Sequence, residues 1–184
     1  MKHLGNMTVT KENALSFPAV TEFYGHLTIA PGAELRAPDL VSIRGWLTIG
    51  KDAGFAAPRL GHVDGWINLQ PESNIMAEHL TEIVGDQSSL TIGADVNLDF
   101  RSLATVGGMV ILQRDAVQDL EELENCGGIA VEAHGALGAP RLVRVGRSIT
   151  LRDGASLRAP LLTHIGGYYD GDETATLYAP RFAS

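Results

Sequence analysis

The chain has 184 residues, 45% hydrophobic and 20% charged, enough apolar material for one sizeable core and the wrong composition for a disordered chain or a fibre. Fourteen Lys and Arg stand against 22 Asp and Glu, a net charge of −8 that argues against a general binder of nucleic acid or anionic membranes and favours a basic partner. One cysteine, Cys126, permits no internal disulfide and no thiolate zinc site, and no stretch approaches the ~20 apolar residues that span a bilayer.

Taken in chain order, the predicted elements repeat. Residues Met1 to Asn6 carry no apolar signal-peptide run, so the sequence reads as cytoplasmic. Then Met7-Thr8-Val9, Leu27-Thr28-Ile29, Leu47-Thr48-Ile49 and Ile67-Asn68-Leu69 recur with a period of twenty. After an insertion, Asp86-Gln87-Ser88, the register resumes with Leu90-Thr91-Ile92 and runs through Val110-Ile111-Leu112, Ile129-Ala130-Val131 and Ile149-Thr150-Leu151. A second signature follows in most units: Leu15-Ser16-Phe17-Pro18, Leu35-Arg36-Ala37-Pro38, Phe55-Ala56-Ala57-Pro58, Leu137-Gly138-Ala139-Pro140, Leu157-Arg158-Ala159-Pro160 and Leu177-Tyr178-Ala179-Pro180.

The alternation in Leu27-Thr28-Ile29 sends Leu27 and Ile29 to one side and Thr28 to the other, a half-buried strand. A unit cannot bury its apolar set alone, but stacking does so, placing equivalent strands in parallel at ~4.8 Å. Glycines that close units (Gly25, Gly45, Gly65, Gly108, Gly167) mark turns, and the prolines, which cannot donate to a ladder, predict an irregular corner on that side of each coil. The expected fold is all-β, a single-domain parallel β-helix of about nine 20-residue coils, with residues 1–5 as lead-in, 6–167 as regular coils and 168–184 as a capping coil. Its length would be roughly 40 Å.

The L-x-I strand followed by spaced leucines and I-x-G resembles the receptor L domain, a relative of leucine-rich repeats. The resemblance spans about Asn6 to Phe182 and implies a right-handed β-solenoid acting as a binding platform. This chain differs in lacking that family's cysteines and in placing Ala-Pro where an asparagine ladder or a further leucine is usual.

Two units depart from the rule. One carries Ala77-Glu78 instead of Ala-Pro and ends in the insertion. The other replaces the corner with residues 116–123, where Val117, Leu120 and Leu123 have the spacing of a helical turn. At the C-terminal end, Tyr169, Gly171 and three acids read as a cap; at the N-terminal end, the strand from Met7 either offers an edge for a homodimer or is covered by Lys2 and His3.

No catalytic motif, nucleotide loop or metal-ligand spacing is present, so the sequence reads as a non-enzyme with no cofactor and no metal. The six histidines share no ligand spacing, and Cys126 falls in the inward column of Ile43, Val63 and Ile165. The column at the strand start makes Trp46 and Trp66 neighbours, flanked by His26 and Thr48, either as an exposed aromatic contact or as a shield over the glycine turn. Residues 60–132 carry two basic and thirteen acidic side chains, with Asp115, Asp119, Glu121, Glu122 and Glu124 concentrated on one unit. The expected function is a protein-protein interaction module that presents a strand face and this acidic belt to a partner with a basic surface, without direct contact to nucleic acid or membrane. The alternatives are an acidic inhibitor of a nucleic-acid-binding protein and a self-assembling structural β-helix.

Overall fold

A computed structural model describes residues 1–13, 17 and 19–182. Leu15, Ser16 and Pro18 of the first corner lie outside the described residues. The chain is a parallel β-solenoid of about nine coils about 20 residues apart, with no helix among the described residues. Among the described residues no helix is therefore long and apolar enough to cross a membrane.

Each coil contributes to three faces. The second face holds the Leu-Thr-Ile strands, Met7–Val9, Leu27–Ile29 and Leu47–Ile49, followed by the trailing parts of His62–Leu69, Glu82–Ile92, Thr105–Leu112 and Asn125–Val131, then Ile149–Leu151 and Tyr169–Gly171. Its register is the one the repeat predicts: Thr8 opposes Thr28, Thr28 opposes Thr48, Thr48 opposes Asn68, and so on to Thr150 and Asp170. β-branched and leucine side chains suit this pleated surface, and Leu27, Ile29, Leu47, Ile49, Ile67 and Leu69 are all fully buried. Each such burial stabilises by about 1.5–3 kcal/mol relative to an exposed side chain. A one-residue slip would turn the whole set outward, so the buried face enforces the register.

The first face carries the I-x-G segments, from Lys2–Leu4, Glu22–Tyr24 and Ser42–Arg44 through the leading parts of the four long strands to Arg144–Val145 and His164–Ile165. Lys2–Leu4 is thus not a lead-in that folds over the end of the stack but a strand within it, paired residue for residue with Glu22–Tyr24. His3 occupies the inward column there and stacks on Phe23 at 4.7 Å. The turn between these faces needs glycine: Gly45 has φ +144°, and a Cβ on it would lie 2.0 Å from the carbonyl oxygen of Gly25. In the same inward column Cys126 lies between Val106 and Val145, and burial pushes its thiol pKa up to about 12.

The third face corrects two expectations. The side expected to be an irregular corner is itself a ladder of three-residue strands, most of them ending just before an Ala-Pro turn. Glu34–Arg36, Gly54–Ala56, Asn74–Met76 and Asn97–Asp99 form one sheet, and Val117–Asp119, Ala136–Gly138, Ser156–Arg158 and Thr176–Tyr178 another. The alanines Ala37, Ala57, Ala77, Ala139 and Ala159 are fully buried at the corner after each strand. Nor is there a helical turn at residues 116–123. Val117–Asp119 is a strand in register with Ala136–Gly138, Leu120 and Leu123 point into the core, and Val117 stands 66% exposed. The three-residue spacing arises because the chain bends at Leu120, not because it coils.

Candidate binding site

Among the described residues the third face is interrupted once, between Asn97–Asp99 and Val117–Asp119, although the other two faces pair without a break across the same coils. Column positions differ at this place. In the other described third-face strands the middle is a large aliphatic or aromatic residue (Leu35, Phe55, Ile75, Leu137, Leu157) and the corner two residues on is alanine, while the first corner holds Phe17, whose amide donates to the Arg36 carbonyl at 2.8 Å. At the interruption the corner positions hold Phe100 and Leu120, both buried, while the strand middles hold half-buried Leu98 and Gln118. At Gln118 and Leu120 the bulk has moved from strand middle to corner, and at Phe100 the corner carries a ring in addition to Leu98. Close-packed interiors do not absorb such a change without shifting the backbone.

The hydrogen bonds show what is lost. In unbroken turns the amide opening each strand donates to the carbonyl just before the preceding strand: Gly54 to Ala33, Asn74 to Ala53 and Asn97 to Ser73, all at 2.9 Å. At the corner, the amides of Ala37, Ala57 and Ala77 donate to Ala56, Met76 and Asp99 at 2.8, 2.9 and 3.1 Å. The same pattern would take the Val117 amide to the Val96 carbonyl and the Phe100 amide to that of Asp119. Neither bond forms. The Val96 carbonyl instead accepts from Gln118 Nε2 at 2.7 Å, so a side-chain amide stands in for the missing strand donor.

A recess of about 440 Å³ lies at the interruption, between Asn97–Arg101 on one bank and Asp119 and Glu121 on the other. Arg101 binds Asp99 at two points, 2.8 and 3.2 Å, which neutralises that bank. Asp119 and Glu121 are exposed, and neither is in an ion pair among the described residues. The Asp119 carboxylate lies over Gly138 of the next coil, where a Cβ would come within 1.8 Å of its Oδ1.

The five acids expected to form one belt are therefore divided. Asp119 and Glu121 border the recess. Glu122 and Glu124 lie on the far side of the corner and share Arg141, at 2.5 and 3.4 Å. Asp115 occupies a turn where successive coils place Asp52, Glu72, Asp95, Asp115, His134 and Asp153, all with φ between 44° and 62°. Aspartate tolerates this left-handed conformation better than most residues, so backbone geometry accounts for part of the acidity.

The aromatic group assembles as the column alignment predicts. His26 stacks on Trp46 at 3.9 Å and 14°, and Trp46 on Trp66 at 4.9 Å and 22°. Thr48 lies in the neighbouring outward column, half-buried beside Thr28 and Asn68. The rings spend their faces on one another and lie against the glycine turn: a Cβ on Gly65 would come within 3.0 Å of Trp46 Cδ1. What they offer to solvent is edges, with Trp46 39% exposed and Trp66 half-buried.

The sequence reading missed the recess and its bordering residues Asn97, Asp99 and Arg101. A signal existed in the reciprocal exchange that puts glutamine where leucine belongs at position 118 and leucine where alanine belongs at position 120. No protein-family model, curated protein or solved structure matches this chain.

Proposed function

We propose that the protein is a non-enzymatic interaction module that binds a protein partner with a basic surface, using the acidic recess of its third face. The observation that supports this reading is the interruption itself: a rod that is regular on two faces breaks its third ladder at one place, and the unpaired carboxylates Asp119 and Glu121 stand there. Solenoids bind through long exposed faces, and the resemblance to the receptor L domain points the same way. A fixed negative potential steers a basic partner and raises its association rate.

The second reading, an inhibitor that occupies the site a nucleic-acid-binding protein keeps for phosphate, is favoured by the row of acids at the left-handed turn, Asp52, Glu72, Asp95 and Asp115, one per coil. The two readings separate by salt dependence. A contact made by a whole row of carboxylates weakens steeply between low and high ionic strength, and a local contact at two weakens less.

The test uses tagged protein as bait in a lysate of the cell that encodes it, beside Asp119→Lys/Glu121→Lys and Trp46→Ala/Trp66→Ala variants, with captured proteins identified by mass spectrometry. The proposal expects a partner that the tryptophan variant keeps and the charge variant loses. Recovery of the bait alone, or a partner lost only with the tryptophans, contradicts it.

A further inference from the structure

We propose that the interruption is a strand-addition site that takes an extended peptide with Lys or Arg at alternate positions, paired along the free edge of Asn97–Asp99. The inference rests on the binding reading above and gives it a mode and a ligand chemistry. A parallel ladder uses every second residue of a strand to bond each neighbour. Asn97 already bonds backward to Ser73, and Asp99 accepts from Ala77. That leaves the amide and carbonyl of Leu98, with the Phe100 amide, facing the coil that fails to pair. Of the groups on this edge, Gln118 satisfies only the Val96 carbonyl. Elsewhere in the interior of the described stack the strand edges meet a neighbouring coil, so the two edges facing this interruption, those of Asn97–Asp99 and Val117–Asp119, are the ones without a strand partner.

Exposed edges of this kind template the addition of a further strand, with main-chain hydrogen bonds giving affinity and alternate side chains giving specificity. The charge of the banks selects the peptide. Arg101 is tied to Asp99, so the net charge bordering the recess comes from Asp119 and Glu121. A strand lying on the edge of Asn97–Asp99 turns every second side chain outward, where a Lys or Arg meets these two carboxylates. The recess volume, about 440 Å³, falls within the range of ligand-sized pockets.

The experiment is a fluorescence-anisotropy titration of the full chain with a labelled octapeptide of alternating Val and Lys. Parallel arms use the same peptide N-methylated at the backbone amide of each Lys, the outward residues whose amides face the edge in a parallel pairing, which keeps the charge and removes those donors, and a Val-Glu counterpart. The protein arms are wild type, Asp119→Lys/Glu121→Lys, the charge-matched control Glu132→Lys/Glu173→Lys, and Phe100→Ala/Gln118→Leu/Leu120→Ala, which restores the regular columns. The expected result is saturable binding of the Val-Lys peptide to wild type and control alike. Binding should weaken at least about tenfold on N-methylation and on charge reversal at 119 and 121, a loss of about 1.4 kcal/mol, and vanish for the Val-Glu peptide and the restored variant.

Equal binding of the N-methylated peptide would reduce the site to charge alone and overturn strand addition. Binding indifferent to Asp119 and Glu121, no binding at all, or self-association of the protein in place of peptide binding would also overturn it. If the restored variant fails to fold by circular dichroism, the N-methyl and charge arms still decide. A lysate partner that survives while the peptide fails leaves the interaction reading standing and moves the contact elsewhere; loss of both removes the reading itself.

Discussion

The second and third faces are built from the same coils, yet one runs unbroken from Met7 to Gly171 and the other splits in two between Asp99 and Val117. On the second face each coil up to Ile149–Leu151 offers two large inward side chains in a fixed pattern, and conservative drift (Ile to Val, Thr to Asn) leaves the ladder intact. On the third face the corner column holds alanine in most coils, with Phe17, Phe100 and Leu120 as the large exceptions. Where two successive coils depart from these columns, at Phe100 and at Gln118 with Leu120, the core stays filled and the backbone pairing between those two coils is given up. Continuity in a solenoid thus depends on where in each coil the volume sits as well as on how much of it there is.

If that contrast is right, substitutions in the continuous faces should cost far more than those at the interruption. The largest effect is expected from Ile67→Ala, which empties a fully buried position in the middle of the second face and should cost about 3–5 kcal/mol by urea denaturation. Gly45→Ala comes next. Its φ of +144° and the 2.0 Å approach of the Gly25 carbonyl leave no room for a methyl group, so a loss of about 2–3 kcal/mol is expected in the same assay. Gln118→Ala removes only the stand-in donor to Val96 and should cost about 1 kcal/mol; a loss as large as that of Ile67→Ala would mean that the third face is as cooperative as the second.

The smallest effect lies in the last coil. The Asp172 carboxyl is held below the usual carboxylate range, first by the backbone amide of Asp153 and then by the Thr174 hydroxyl, with the Thr174 and Ala175 amides at 3.0 Å adding to this. A carboxyl whose folded pKa is depressed contributes stability above its unfolded value of about 4 and loses it as pH falls through the lower folded value. Asp172→Asn should therefore lower stability slightly at neutral pH and converge with the wild type toward pH 2, flattening the acid limb, as thermal melts from pH 7 to pH 2 would show.

Strand positions and register on the second face were legible because the inward columns repeat with a fixed period and the burial of Leu27, Ile29 and their equivalents admits one alignment. The Trp46–Trp66 stack followed from the same columns. The third ladder was not legible, since three residues before a proline look the same whether they pair or merely turn. Residues 116–123 misled because a bend at Leu120 gives inward Leu120 and Leu123 a helix-like spacing that outward Val117 extends by coincidence. The belt of five acids looked single because charge was counted along the chain, whereas the fold sends Asp115 to a turn, Glu122 and Glu124 to Arg141, and only Asp119 and Glu121 to the recess.

The most direct test of the interruption is amide hydrogen exchange by NMR on the unliganded protein. The Phe100 and Val117 amides should exchange at least about tenfold faster than their counterparts in paired coils, Ala77 and Leu120 for the first, Asn97 and Ala136 for the second, whose bonds run at 2.8–3.1 Å. Protection of Phe100 and Val117 equal to that of these counterparts would mean that the third ladder is closed in solution, and the site argued from its opening would not exist.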